Sequence, residues 1–410
     1  MRILIQKFGG TSVATPELRE QAVGHVIKAV QEGFSPVVVV SAMGRAGDPY
    51  ATDTFIKIAQ SGCQDPNPRE MDLLVSCGEI ISAVVMANTL KAHGYDATVL
   101  TGAQAGILTD DCFTNATIKR VEPESILKHL RAGRIVIVAG FQGAAETGEI
   151  TTLGRGGSDT TAAALGVALA AERIDIFTDV EGIKTADPRI VPEARTLPVI
   201  TYDEICQMAH EGAKVIHPRA VEIAMRRNIP LQIRSTTSDQ PGTMITYNYQ
   251  SQDIWGQQGH ERVVTGVTQI PEMAQLKVFT PAPVADDTEV RLFQNLAEVG
   301  ISLDMITVLP EVKIFIIKEE LMGKAQDVLA DLELAYQAER NCAKVSVVGS
   351  GMRGVPGVMA RVVTALHAAG VQIRHSTDSH VTISCLVKQD EMVAAVRALH
   401  GAFDLGGNGL

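Results

Sequence analysis

The 410-residue chain lacks any CxxC pair: its six cysteines, Cys63, Cys77, Cys112, Cys206, Cys342 and Cys385, are scattered. That usage excludes a disulfide framework and fits reduced thiols in a cytoplasmic protein. Long hydrophobic runs are missing too. Stretches such as Val37-Val38-Val39-Val40 fall far short of the roughly 20 residues that span a bilayer. The opening MRILIQKFGG is too short and too charged for a signal peptide and reads as a strand. No membrane partner is expected. Positive charge is in deficit, 36 Lys and Arg against 47 Asp and Glu, with a net charge of −11 and no basic tract. Such a chain repels nucleic acid instead of releasing its counterions. No GxxxxGK[ST] loop occurs, which argues against a Walker-type nucleotide site. His210 and His217, with Cys206 and Glu211 nearby, do not form a familiar ligand spacing, so no protein-built metal site is expected.

What is present is globular: 46% hydrophobic and 20% charged residues, with length for about two to four domains. The first 180 or so residues alternate β-branched runs with helical stretches. Ile3–Gln6, Val37–Ser41, Ala97–Leu100, Ile135–Ala139 and Ile174–Thr178 read as strands, and Glu17–Glu32 and Asp72–His93 as helices. Near-continuous apolar strands separated by helices predict a mainly parallel sheet covered on both faces, an αβα sandwich. Several strands run into Gly- or Ser-containing turns, and ligands collect at the carboxyl ends of such strands.

Composition changes after residue 235. Ser235–Gln258 is rich in polar residues, Gly and Pro, holds the only tryptophan, Trp255, and reads as a connection. Beyond it residues 290–330 repeat as 360–400 at a constant offset of 70, with identities such as Arg291/Arg361, Gly300/Gly370 and Met322/Met392. Each copy reads strand, helix, strand, strand, helix, a small ferredoxin-like α+β module. Gly349-x-Gly351-x-x-Gly354 follows the apolar run Val345–Val348. It reads either as a dinucleotide fingerprint or as a loop joining a strand to the helix of the second copy. The absence of a full βαβαβ half favours the loop.

The most informative stretch is Thr151-Thr152-Leu153-Gly154-Arg155-Gly156-Gly157-Ser158-Asp159, ahead of an Ala- and Leu-rich helical segment. Ser158 or Asp159 is a natural N-cap. Glycines ahead of a helix let N–H groups converge on an anion, and Arg155 adds a fork for carboxylate or phosphate. A capped helix after a tight turn is the plain alternative. Lys7-Phe8-Gly9-Gly10-Thr11-Ser12 repeats the logic, with a lysine beside a glycine turn.

KFGGTS (Lys7–Ser12), SAMG (Ser41–Gly44) with Thr52-Asp53, SCGE (Ser76–Glu79), GRGGSDTT (Gly154–Thr161), FTDVEGIKTADPR (Phe177–Arg189) and GAKVIHPRA (Gly212–Ala220) together resemble the aspartokinases of the amino acid kinase family. The duplicated tail is similar to their paired ACT domains, and the Ser41–Asp53 spacing to the bacillar, diaminopimelate-responsive type. The resemblance implies a catalytic domain at 1–245 and ACT-like domains at 263–335 and 343–405. It implies transfer of the γ-phosphoryl group of ATP, with Mg²⁺, to the β-carboxylate of L-aspartate, the first step towards lysine, threonine and methionine. Another enzyme of the family, or a non-catalytic amino-acid sensor, is the alternative.

By resemblance, Lys7, Arg155 and Asp179 are catalytic. Lys7, Gly9, Gly10, Ser41, Thr178, Asp179, Lys184, Arg189, Lys214 and Val215 frame the nucleotide. Thr52, Glu79, Arg155, Gly156, Gly157 and Ser158 hold aspartate, with Glu79 on its ammonium group. Two bland readings stay beside these: Asp187-Pro188-Arg189 as a turn with a solvated arginine, and Lys214 as a surface lysine. An effector amino acid (diaminopimelate, lysine or threonine) is expected on a strand running from Val371, at Gln372 and Ile373, facing the Gly349–Gly357 loop. In the first copy Thr280–Asp287 lacks the matching glycine. A homo-oligomer through the ACT domains is implied as well.

Overall fold

The computed structural model describes residues 1–213, 215–247, 263–280, 287–352 and 354–407. Lys214, Trp255 and residues 281–286 of the first-copy loop therefore lie outside the described residues. The chain divides into two compact units. The first takes Met1–Ile183, Thr196–Ala209 and the described residues from Val215 to Tyr247; the second takes Lys184–Arg195, His210–Ala213 and those from Val263 onward.

In the first unit the strands are β1 (Arg2–Phe8), β2 (Phe34–Val40), β3 (Ala97–Leu100), β4 (Ile107–Thr109), β5 (Ile118–Val121) and β6 (Ile135–Ala139). They continue with β7 (Gln142–Ala145), β8 (Ile150–Thr152), β9 (Arg173–Thr178), β10 (Val199–Ile200), β11 (Leu231–Ser235) and β12 (Thr243–Ile245). The helices are α1 (Pro16–Gln31), α2 (Thr52–Gly62), α3 (Pro68–Ala92), α4 (Glu124–Arg131), α5 (Gly157–Ala168), α6 (Tyr202–His210) and α7 (Pro218–Met225). The main sheet runs β10-β12-β11-β9-β1-β2-β6-β3, parallel except where β11 meets β12. Its five apolar strands are those the sequence predicts.

Alternation along β1 explains the two layers. Phe8, with Val38, Val40, Ile137 and Phe177, packs under Val23 and Val26 of α1 and Met86 and Leu90 of α3. The opposite face of β1 carries α5, which also lies on β9. Lys7 is on that α5 face by register, since successive side chains alternate. α3 is long and apolar enough to cross a membrane by length and composition, and it spends that surface on β2, β3 and β6. Strands β4, β5, β7 and β8 form a second sheet, ordered β5-β4-β7-β8, that the sequence reading does not foresee. They are short and follow no long alternating run.

In the second unit the elements are β13 (Gly266–Phe279), α8 (Thr288–Glu298), β14 (Asp304–Val308), β15 (Val312–Lys318), α9 (Met322–Asp331) and β16 (Tyr336–Val348). Then come α10 (Val358–Ala368), β17 (His375–Asp378), β18 (Thr382–Lys388) and α11 (Met392–Ala402). α8 and α10, and β15 and β18, obey the 70-residue offset end to end. One antiparallel sheet joins both copies, in the order β14-β15-β13-β16-β18-β17.

The long strands β13 and β16 are shared. Met273–Phe279 pairs with β15 and, from Gln275, with Tyr336–Glu339, whereas Gly266–Ile270 pairs with Lys344–Val348. The register shifts between these halves, where Glu272 and Asn341 adopt left-handed backbone. Each copy thus completes four strands with a segment outside its expected bounds. Residues 336–341 pair in the first-copy half of this one sheet and 266–270 in the second-copy half, so each half draws on residues outside 263–335 or 343–405. Within the expected 1–245 span, Ala186, Val191 and Ala194 lie in the core of the second unit with Val345 and Leu399. The strand expected to face an effector starts later than its expected beginning at Val371. Residues 371–374 precede β17, leaving Gln372 exposed and Ile373 half-buried in a connection. The Gly349–Gly357 stretch is the loop from β16 to α10, the second of the two readings.

Candidate active site

Three strand ends are stitched together at the carboxyl edge of the main sheet. The Gly9 N–H donates to the Phe177 carbonyl at 3.2 Å, Ser41 N–H to Phe8 at 3.1 Å and Gly44 N–H to Gly10 at 3.0 Å. Gly10 is required by close approach, since a Cβ there would stand 2.5 Å from the Ala42 carbonyl oxygen. Below this turn Lys7 Nζ sits 2.7 Å from Asp159 Oδ1, and both side chains are largely buried.

Asp159 belongs to the first turn of α5. The helix begins at Gly157 with Gly156 in left-handed conformation as N-cap, and no side chain caps it. The expectation that Ser158 or Asp159 caps the helix is therefore corrected: both lie inside the first turn, and Asp159 turns to Lys7 instead. Gly156 is pressed against α7, where a Cβ would come within 2.3 Å of His217. His217 is the N-cap of α7, and Arg219 donates to the Leu153 carbonyl at 3.0 Å. The IHPR run thus buttresses the glycine loop from behind.

These elements enclose a cleft of about 520 Å³. Of the residues expected at the site, Lys7, Ser41, Thr52, Glu79, Arg155, Gly156, Gly157 and Ser158 line it. Glu79 lies deep inside α3 and is 2% exposed. Its Oε1 accepts from the Ala42 N–H at 3.0 Å, while Oε2 has no partner. Burial pushes its carboxyl up to about 8 against an ordinary 4.5, only partly opposed by the Ala42 hydrogen bond. Arg155 is exposed at the rim. The site offers a fixed cation, a neutral buried acid and an arginine-bearing glycine loop around one small volume.

The remaining expected residues are elsewhere. Thr178 ends β9 and Asp179 follows it; Asp179 is held by Arg45 in an exposed ion pair off the cleft lining. Lys184 and Arg189 belong to the second unit. There Arg189 closes back on Asp187 through Nε at 3.0 Å and Nη2 at 2.7 Å, the turn reading of Asp187-Pro188-Arg189. Val215 is half-buried in the first unit and does not line the cleft. Two acids that line the cleft escape the sequence reading. Asp159 was legible only as a cap. Asp72, which also lines the cleft, has partners 42 and 80 residues away and left no local signal.

Comparison with known proteins agrees with this geometry. A sequence model of the Amino acid kinase family matches residues 2–235, and one of the ACT domain matches residues 337–401. Aspartokinase 1 of Bacillus subtilis is 49% identical over 406 residues, covering 99% of this chain and 100% of that protein. The aspartokinase of Geobacillus stearothermophilus is 42% identical over 99% of this chain and 98% of its own length. The structure of aspartate kinase from Synechocystis is 36% identical, covers 98% of this chain and 69% of its own, and superposes with a TM-score of 0.54. Escherichia coli aspartokinase III, solved with aspartate and ADP, shares the fold at a TM-score of 0.79 and 24% identity, covering 98% of this chain and 99% of its own. The chain belongs to the amino acid kinase family, among its aspartokinases.

Proposed function

We propose that this chain transfers the γ-phosphoryl group of ATP to the β-carboxylate of L-aspartate, giving 4-phospho-L-aspartate. The observation that carries the reading is the single cleft shared by Lys7, Glu79 and the Gly154–Ser158 loop. The attacking carboxylate is ionised at neutral pH, so no general base is required. Positioning and charge neutralisation do the work in such transfers. Lys7, oriented by Asp159, neutralises charge building on the transferring group above the Gly9-Gly10 turn. Arg155 takes a substrate carboxylate in its fork, Glu79 receives the ammonium group, and Thr52 and Ser158 supply neutral hydrogen bonds. Ser41, Thr178, Asp179, Lys184, Arg189, Lys214 and Val215 are assigned to the nucleotide by resemblance.

Mg²⁺ accompanies ATP in this reading. No cluster of three or more His, Cys, Asp or Glu suited to a metal occurs among the described residues. Phosphate oxygens and water commonly complete the coordination of Mg²⁺. The two C-terminal modules bind an end-product amino acid and join copies of the chain, which makes the enzyme feedback-regulated and commits its product to lysine, threonine and methionine. The test is ATP-dependent acyl-hydroxamate formation with aspartate, glutamate or no acceptor. Product with aspartate above both controls is expected, and equal rates in all three would defeat the assignment.

A further inference from the structure

α3 carries two buried acids, Asp72 and Glu79, that both reach the cleft. Seven residues span close to two helical turns, so the two carboxylates share one face of a stiff rod. Glu79 is anchored towards the end of β2 through Ala42. Asp72 is anchored to the other wall. Its Oδ2 accepts the Thr152 N–H at 2.8 Å, Oδ1 accepts the Thr152 hydroxyl at 2.6 Å, and the Thr114 N–H reaches the two oxygens at 2.9 and 3.1 Å.

Asp72 is fully buried, and no cation pairs with it among the described residues. A buried carboxylate without a counter-charge is costly, and here only hydrogen bonds compensate it. An amide could not replace it, because its NH2 would face a donor. What the bonds secure is the approach to the glycine loop. Thr152 lies three residues before Arg155, and the turn at Thr114-Asn115, also held by Asp72, packs on Gly154, where a Cβ would meet Asn115 Oδ1 at 2.7 Å and the Thr114 carbonyl at 3.2 Å.

We infer that Asp72 is a positioning residue that fixes which substrate length the cleft accepts: it ties the Arg155 loop to the same helix that presents Glu79. The span between the ammonium acceptor and the carboxylate fork is then set by α3, and a dicarboxylic amino acid one methylene longer no longer fits. This rests on the aspartate reading given above. One methylene typically discriminates by about 10–200-fold, which is the range available to lose.

The experiment compares kcat/KM for aspartate and for glutamate, together with the ATP KM and the melting temperature, in Asp72→Asn, Thr152→Val and Thr152→Ser. Asp72→Asn is expected to lower the aspartate-to-glutamate ratio by about tenfold or more, through the aspartate KM, with the ATP KM within about twofold. Thr152→Val should move the ratio the same way by less, and Thr152→Ser, which keeps the hydroxyl, should preserve it. If Asp72→Asn does not fold, the two Thr152 variants decide alone. An unchanged ratio in Asp72→Asn and Thr152→Val overturns the inference whatever the melting temperature does, as does an ATP KM rising in step. A wild type that prefers aspartate while its variants keep that preference sinks only this inference. A wild type without aspartate-dependent ADP release sinks the functional reading as well.

Discussion

Lys344 Nζ lies 2.8 Å from the Glu211 carboxylate, and the lysine side chain is 4% exposed. The same ammonium pairs with Asp304, the first residue of β14, and Glu211 also accepts from Ser346 at 2.5 Å. Glu211 follows α6, so this pair fixes the His210–Ala213 excursion on the sheet of the second unit. The 70-residue offset reappears here with its sign reversed. Asp304 reaches Lys344 on the second-copy half of β16, and its counterpart Arg374 reaches Glu339 on the first-copy half at 3.3 Å. Removing one partner of a buried pair strands the other charge and costs roughly 3–5 kcal/mol. Lys344→Met should therefore lower the denaturant midpoint of the full chain markedly, and Glu211→Gln added to it should restore part of the loss. A double variant no more stable than Lys344→Met would show that the charges are independent.

Lys7→Ala should reduce kcat by about 10²–10³, the scale of losing one preorganised donor. It also strands Asp159 beside the phosphoryl path, so adding Asp159→Asn should cost little more. Steady-state kinetics on folded protein checks both, and an unchanged kcat would make the Lys7–Asp159 pair structural.

Arg155→Ala should raise the aspartate KM far more than the ATP KM. Arg155→Lys should rescue only in part, because a point charge cannot replace a bidentate fork. Equal effects on both substrates would move Arg155 to the phosphates.

Glu79, proposed above to receive the substrate ammonium group, should make aspartate use depend on pH. Its carboxyl, at about 8, is mostly protonated at neutral pH, and the ammonium group of the substrate prefers the ionised form. The aspartate kcat/KM should climb as pH rises towards 8 and then level, and Glu79→Gln should lower it and flatten that limb. The stability sign is opposite. A carboxyl whose folded value lies above its unfolded 4.5 binds more protons when folded, so its contribution shrinks as pH rises from about 4.5 to 8. Stability of Glu79→Gln should be less pH-dependent across that window.

The end-product amino acid should bind near Gln372 and Ile373. Gln372→Ala is expected to weaken inhibition by lysine, diaminopimelate or threonine by about tenfold, within the usual coupling range, with the uninhibited kcat unchanged. Inhibition curves on the full chain measure this. Truncation near residue 245 is the wrong tool, because it strips Ala186, Val191 and Ala194 of their core. Equal inhibition of wild type and variant would place the effector elsewhere.

The parallel strands were legible because β-branched runs such as Val37–Val40 are buried on both faces and carry no competing pattern. The glycine turns were legible because close approach leaves few other residues possible, as at Gly10 and Gly156. Asp72 was not, because its role exists only through Thr114 and Thr152, which the fold brings to it. The shared strands were not either: a periodic pattern announces a strand but not which partner each half takes, and the division at Glu272 and Asn341 is a matter of register.

That sharing has a consequence for synthesis on the ribosome. Gly266–Ile270 leaves the exit tunnel well before Lys344–Val348, its sheet partners, have been made. The first copy can close its four strands once Tyr336–Glu339 emerges, but the opening half of β13 must wait beside it as an unpaired edge. The second copy receives its last strand from a segment synthesised before all its others. A nascent chain halted after α9 therefore carries a sticky half-strand and neither finished module, so arrest or early termination there should yield chains that associate with one another instead of a shorter working tail.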